Sequence, residues 1–176
     1  MVRFFVVFLV LLAALFALEL TPWAQAYVVI PWTNLLAKVS TAIVTVFDPN
    51  VIASGKVIRS ASNGFAVSIE AGCNGVEATI VLVAAMLAFP APWRYRIAGV
   101  AIGFVAVQAL NIVRIISLFY IGQWSYAVFE WAHLYVWQAL IMLDVLVVWL
   151  LWVRRVPRPE GEAGRPPAAP PALAPG

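Results

Sequence analysis

Apolar positions dominate the chain in four long stretches, and the polar positions between them set the limits. Residues 2–20 are apolar apart from Arg3. Residues 75–89 stop at Pro90-Ala91-Pro92, residues 97–113 at Arg114, and residues 133–153 at Arg154-Arg155. A helix of about twenty apolar residues crosses a bilayer, so the pattern predicts four transmembrane helices. Ala24-Gln25-Ala26 has the look of a signal-peptide cleavage site, but the apolar core before it is long and favours a retained span. Between the first two spans, residues 21–72 change character. An amphipathic helix is predicted from Pro31, a favoured first-turn residue. Leu35, Leu36, Val39, Ile43, Val46 and Phe47 fall on one face, and Asn34, Lys38, Thr41 and Thr45 on the other. That spacing suits a helix lying on a membrane surface. Asp48-Pro49-Asn50 stops it. Residues 57–60 and 65–70 then flank Ser62-Asn63-Gly64, and Asn-Gly is a strong hairpin signal.

Composition supports the membrane reading. Of 176 residues, 64% are hydrophobic and 11% charged, against roughly half and a quarter in soluble domains. Mean hydropathy is +0.96. The net charge of +3 is too small to imply nucleic acid. Basic residues instead orient the chain. Arg3, Arg94 with Arg96, and Arg154, Arg155 and Arg158 fall on one side of a four-span protein, which makes that side cytoplasmic. Trp23, Trp32, Trp124, Trp131 and Trp137 cluster towards the other interface, as aromatic belts do. The expected fold is therefore an all-α membrane protein of about four transmembrane helices. An extracytoplasmic amphipathic helix and a small β-hairpin lie between the first two. Residues 1–153 form the membrane domain, and residues 154–176 a disordered, basic, Pro/Ala-rich cytoplasmic tail.

In so apolar a chain, ionisable residues near the spans are the informative ones. There is one cysteine and one histidine, so no intramolecular disulfide, redox pair or Cys-rich zinc site is open to the chain. No metal cluster or cofactor motif is visible. Cys73 opens the second span at its outer end. Arg114 lies 17 residues past Ile97, which at ~1.5 Å per residue brings it to the outer boundary. His133 heads the fourth span. The topology alone brings these three to one membrane face. A thiolate is the nucleophilic form of cysteine, and a helix N-terminus or a nearby cation favours it. Arg114 supplies that cation, or holds the oxyanion of an acyl intermediate. His133 takes the thiol proton and returns it to a leaving amine. Gly72 and Gly75 permit a sharp turn and close approach. Supporting candidates are Asn74, beside the thiol; Asn111, three residues before Arg114, to orient the guanidinium; Glu130, three before His133, to fix the imidazole tautomer; and Glu77, to pair with Arg114. Asp144, about three turns below His133, reads as an interhelical hydrogen-bonding group.

With these residues in hand, the chain resembles the exosortase/archaeosortase family of membrane-embedded transpeptidases, most nearly its exosortase H subgroup. The likeness rests on the run from Phe65 through Glu70 into Ala71-Gly72-Cys73-Asn74-Gly75, on Asn111-Ile112-Val113-Arg114, and on Ala132-His133. The resemblance implies Cys73 as nucleophile, Arg114 as electrostatic partner and His133 as acid/base. It implies a bacterial plasma-membrane enzyme working at the outer face, with no cofactor. Its partners would be membrane lipid and secreted proteins bearing a C-terminal sorting signal: an IPTL-type motif, a transmembrane helix and a basic tail. Many members have Ser after the Cys, where this chain has Asn74, and many have about eight spans. A minimal core or a homo-oligomer accounts for the smaller number. The competing reading is a non-enzymatic membrane assembly or scaffold protein, in which the three residues only pack and anchor. A transporter using Glu77 and Asp144 as an ion path is weaker, because no pair of broken helices is present.

Overall fold

The apolar runs form five helices, seen in a computed structural model that describes residues 2–157. Most of the tail expected to be disordered lies outside the described residues. Helix α1 (Val2–Glu19) has no interior breaker. Thr21 ends the turn after it and caps the next helix, its Oγ accepting from the Ala24 N–H at 3.2 Å, with Pro22 in the first position. Helix α2 (Pro22–Val44) follows, then strands β1 (Val51–Ser54), β2 (Val57–Ser60) and β3 (Ala66–Ser68). Helix α3 (Val76–Ala88) stops at the Pro90-Ala91-Pro92 corner, from which α4 (Trp93–Trp124) runs unbroken for 32 residues. Ser125 breaks the chain and caps α5 (Tyr126–Arg155).

Helices α1, α2, α4 and α5 are long and apolar enough to cross a membrane. The expected span over 75–89 is helical only over 13 residues, about 20 Å of rise against a hydrocarbon core of about 30 Å. It nevertheless runs the length of α1, antiparallel to it. Phe4 meets Phe89 at one end, ring centroids 6.4 Å apart, and Glu19 approaches Glu77 at the other. Ala78, Leu82, Met86, Val107, Ile141 and Val145 make the apolar core shared by α3, α4 and α5. Gly103 lets α4 close on α3: a Cβ there would lie 2.6 Å from Leu82. The Trp152 indole donates to the Tyr95 carbonyl at 2.8 Å, tying the end of α5 to the start of α4. This gathers Arg3, Arg94, Arg96, Arg154 and Arg155 at one end of the bundle.

Two sequence expectations need correction here. No separate amphipathic surface helix begins at Pro31. A π turn over Gln25–Val29 has already widened the backbone where the proline would break it, and the helix passes through. Of the apolar face expected to meet the membrane, Leu36 alone is buried against protein. Thr33, Leu36, Ala37, Ser40, Thr41 and Val44 point inward, while Leu35, Val39, Ile43, Val46 and Phe47 are exposed. Small side chains let α2 approach its neighbours closely and leave the bulky apolar ones facing outward. Second, the hairpin has a third strand. The sheet order is β1-β2-β3, all antiparallel. The turn before β2 uses Gly55 at φ 58° and carries no Asn-Gly signal. The Ser62-Asn63-Gly64 turn lies between β2 and β3 as expected.

The sheet rides on the far end of α4. At ~1.5 Å per residue α4 is about 48 Å long, so its last turns extend past a membrane's thickness from Trp93. There Phe119 meets Phe65, and Asn63 donates to the Gln123 Oε1 at 2.7 Å. Val51, Ile58 and Ile69 pack with Leu36, Ala37, Val44, Ile115 and Phe119 as a second core.

Candidate active site

Seven residues, Ile69 to Gly75, connect the sheet to α3, and their backbone is pinned from several sides. The Cys73 N–H closes a turn onto the Glu70 carbonyl at 2.9 Å. Glu77, one turn into α3, accepts the Gly72 N–H. It therefore holds the loop and does not pair with Arg114. Three loop carbonyls are then gripped by side chains from other helices. Arg114 Nη1 donates to Gly72 at 3.1 Å, Trp32 Nε1 to Asn74 at 3.3 Å, and Gln108 Nε2 to Gly75 at 3.2 Å. Asn74 is buried. Its amide nitrogen donates to Thr33 Oγ1 at 3.3 Å and its Oδ1 accepts the Val76 N–H at 3.0 Å, which caps α3.

Gly75 is required twice over. Its φ of 72° lies in the left-handed region, and a Cβ would stand 2.8 Å and 2.9 Å from the Gln108 amide atoms. Gln108, Asn111 and Arg114 form one stripe along α4, three residues apart, facing this loop. Asn111 is fully buried, but neither of its amide atoms finds a partner, so it does not orient the Arg114 guanidinium by a hydrogen bond. Arg114 is 2% exposed and its Nη2 lies 3.5 Å from the Cys73 sulfur.

His133 comes from α5, inside a π turn over Ala132–Val136, a widening often found at functional sites. Its ring nitrogens lie 3.7 Å (Nε2) and 3.8 Å (Nδ1) from Cys73 Sγ. Near-equal distances mean that neither nitrogen is yet aimed at the thiol. A modest ring rotation aligns one, and such contacts commonly tighten only with substrate in place. Glu130 is exposed and makes no hydrogen bond to His133. The ring is held instead by Phe129, stacked parallel at 5.7 Å. Asp144 is half-buried, with Oδ2 unpartnered, away from this cluster.

The thiol at rest is neutral. Burial pushes the Cys73 pKa up, Arg114 pulls it back in part, and Glu77 and Glu70 add to the rise. Desolvation thus outweighs the nearby cation, one of the two influences expected to favour a thiolate. Glu70 itself is held below the usual carboxylate range by its bond to Lys56, helped by Ser68. A cavity of about 110 Å³ opens at the sulfur, bounded by Val67 and Ser68 of β3, by Ile69 and Glu70 just after it, and by Cys73, Arg114, Ile115, Leu118, Phe129 and His133. Among the described residues no three His, Cys, Asp or Glu side chains gather where they would hold a metal ion.

The structure thus brings Cys73, Arg114 and His133 together across 41 and 60 residues of sequence. Gln108, Trp32, Thr33 and Phe129 were not anticipated. Gln108 left a signal: a polar residue inside an apolar run, six positions before Arg114. Phe129 left one too, standing four residues before His133 and so one helical turn away, whereas Trp32 left none, since aromatic residues are expected at membrane interfaces for other reasons. A family model described as transmembrane exosortase matches residues 2–152. Neither a curated protein nor a solved structure matches the chain.

Proposed function

The chain belongs to the transmembrane exosortase family, and from that premise we propose that it is a membrane-embedded cysteine transpeptidase acting on C-terminal sorting signals of secreted proteins. The observation that carries the reading is one sulfur within 3.5 Å of a buried guanidinium and 3.7 Å of an imidazole, at the edge of a cavity. Arg3, Arg94, Arg96, Arg154 and Arg155 collect at the opposite end of the bundle, which supports a cytoplasmic basic end and an outward-facing Cys73 in a bacterial plasma membrane.

The chemistry follows from the geometry. As Sγ attacks the carbonyl carbon of the scissile peptide bond, its proton passes to His133, so no free thiolate has to exist in the buried site. The carbonyl oxygen gains the negative charge, and the Arg114 fork is placed to receive it. Collapse breaks the C–N bond. His133 returns the proton to the leaving amine, and the C-terminal helix departs with it. The remaining thioester on Cys73 is attacked by an acceptor nucleophile, which regenerates the thiol. Attack by water would give hydrolysis instead. The implied substrate is an IPTL-type motif followed by a transmembrane helix and a basic tail, as in the exosortase H subgroup.

Co-expression with a secreted reporter carrying such a signal tests this. The wild type shortens the reporter, and a thioester-linked adduct on Cys73 is trapped by acid quench and mass spectrometry. Cys73→Ser inserts normally and neither shortens the reporter nor forms the adduct. Processing at the wild-type rate by Cys73→Ser would remove the mechanism.

A further inference from the structure

The pocket at the sulfur, with Arg114 and His133 at its sides, is small and partly open, about 110 Å³, too little to take an extended peptide along its length. Something beside the cavity must hold the rest of the substrate, and one wall of the cavity is a strand with an open edge. In the order β1-β2-β3, strand β3 has a partner on one side only. The Phe65 carbonyl accepts from Ser60, and the Ile69 N–H donates to Lys56. Val67 pairs with Ile58 between them. Backbone direction alternates along a strand. Odd-numbered residues 65, 67 and 69 therefore turn their groups to β2, and Ala66 and Ser68 turn theirs away. Both are exposed. Five residues after Ser68 comes Cys73, and across the cavity stand Phe129 and His133.

Resting on the transpeptidase reading, we propose that the substrate binds as an extended strand added to the free edge of β3, hydrogen-bonded to the backbone of Ala66 and Ser68, so that its scissile carbonyl reaches Cys73. The occupant is the unstructured motif preceding the substrate's transmembrane helix. Two features favour it over the other partners of open edges. The edge is continuous with the reactive cavity, since Val67 and Ser68 of β3 belong to both. The slot also has a second wall, the start of α5, which excludes a folded sheet but admits a single strand. Recognition by strand addition takes its affinity from main-chain bonds and leaves specificity to the few side chains that enter pockets. That matches a cavity this small.

The test uses the full chain in phospholipid nanodiscs and acetyl-Ile-Ala-Thr-Leu chloromethyl ketone, an IPTL-type peptide with alanine in place of proline. Cys73 displaces chloride from this probe and forms a thioether. The rate is compared with alkylation by iodoacetamide, which needs no peptide site. The ratio of the two rates corrects for any change in thiol reactivity. In a series with one N-methyl group at each amide in turn, two alternate positions lower the ratio at least tenfold, and the positions between them leave it within about twofold. Equal sensitivity at all positions, or at none, would overturn strand addition.

A protein variant gives a second arm. Ser68→Pro deletes an outward N–H that the sheet does not use, a change edge strands tolerate, and lowers the ratio at least tenfold. Ala53→Pro is the control on the opposite edge. Val57 and Arg59 of β2 pair with Ser54 and Ile52, so the Ala53 N–H also faces outward, and this variant keeps the ratio. If Ser68→Pro keeps the ratio while its folding is intact by circular dichroism, the strand site is wrong. Reporter processing by the wild type is read separately. A working enzyme with a flat N-methyl series loses only the strand site, whereas loss of processing and adduct together would defeat the transpeptidase reading itself.

Discussion

Helices α3 and α4 are held together in two different ways along their length. Near the basic end, Leu82 and Met86 of α3 pack against Gly103 and Val107 of α4, with Ile141 and Val145 of α5 filling in beside them, all apolar, and Phe4, Phe89, Trp149 and Trp152 closing the end. Near the sheet, the same two helices meet through Gln108, Thr79, Gly75, Asn111 and Arg114. The first contact is dispersion between shapes, and many side chains of similar volume satisfy it. The second is directional. Gln108 and Arg114 each reach one loop carbonyl, and buried polar atoms without a partner cost about 1–3 kcal/mol each. Four such atoms lie on the α4 stripe that faces the loop: Gln108 Oε1, both amide atoms of Asn111, and Arg114 Nε. The packing end builds the bundle, while the polar end gives up stability to fix one loop.

Substitutions that act on only one end test this contrast, and the largest effect is expected at Arg114. Lysine keeps the charge but loses the fork that now spans the Gly72 carbonyl and the Cys73 sulfur. Reporter processing by Arg114→Lys should fall at least about tenfold, as removal of an oxyanion donor typically costs 10²–10³, with membrane insertion unchanged. Processing near wild type would return Arg114 to a structural anchor.

Next comes a pair of glycines with the same backbone and different surroundings. Gly75 (φ 72°) meets the Gln108 amide, whereas Gly64 (φ 76°) has open space around it. Gly64→Ala should cost only the left-handed backbone strain, about 1–2 kcal/mol, read by thermal unfolding in detergent, and leave processing as it was. Gly75→Ala should cost more and reduce processing several-fold. Equal losses would mean that the close approach at Gly75 carries no weight.

The third effect is a pH shift. Because burial raises the Cys73 pKa above that of an ordinary cysteine, the thiol form dominates at neutral pH. Its alkylation rate should climb with pH and reach half-maximum above the usual cysteine range. Glu77→Gln removes a neighbouring negative charge, keeps an acceptor for the Gly72 N–H, and should move that midpoint down. Arg114→Gln removes the opposing cation and should move it up. Rates measured by mass spectrometry of iodoacetamide adducts decide both directions, and a reversed pair would contradict the electrostatic account.

The smallest effect belongs to the packing end. Leu82 is fully buried, yet Leu82→Met conserves volume and should cost less than about 1.5 kcal/mol, with processing within twofold. A large loss of processing there would show that the two ends are coupled and the contrast is too sharp.

Much of this was legible along the chain. Apolar runs and prolines gave the helices and their stops. Asn63-Gly64 gave the β2–β3 turn. Cys73, Arg114 and His133 stood out because ionisable groups are costly in so apolar a setting, so each needs a reason to be there. The third strand was hidden because Val51–Ser54 is four residues long and its turn lacks a distinctive pair. Asn111, Glu77 and Glu130 were placed near the right groups but given the wrong bonds. A helix face read from spacing shows which residues neighbour one another, not which atom is nearest.

The sequence by itself determined most of the helical segments and singled out Cys73, Arg114 and His133 as candidates, because both depend on local composition and on the cost of burying charge. Only the tertiary structure decided the rest: that α2 buries its small residues, that Trp32 and Gln108 grip the loop, and that burial outweighs the Arg114 cation at the thiol. Those outcomes depend on how each helix is rotated about its axis, where one residue is a turn of about 100°. That rotation is set by the joint packing of all neighbours, and contacts spanning 33 to 60 residues cannot be read from any one segment.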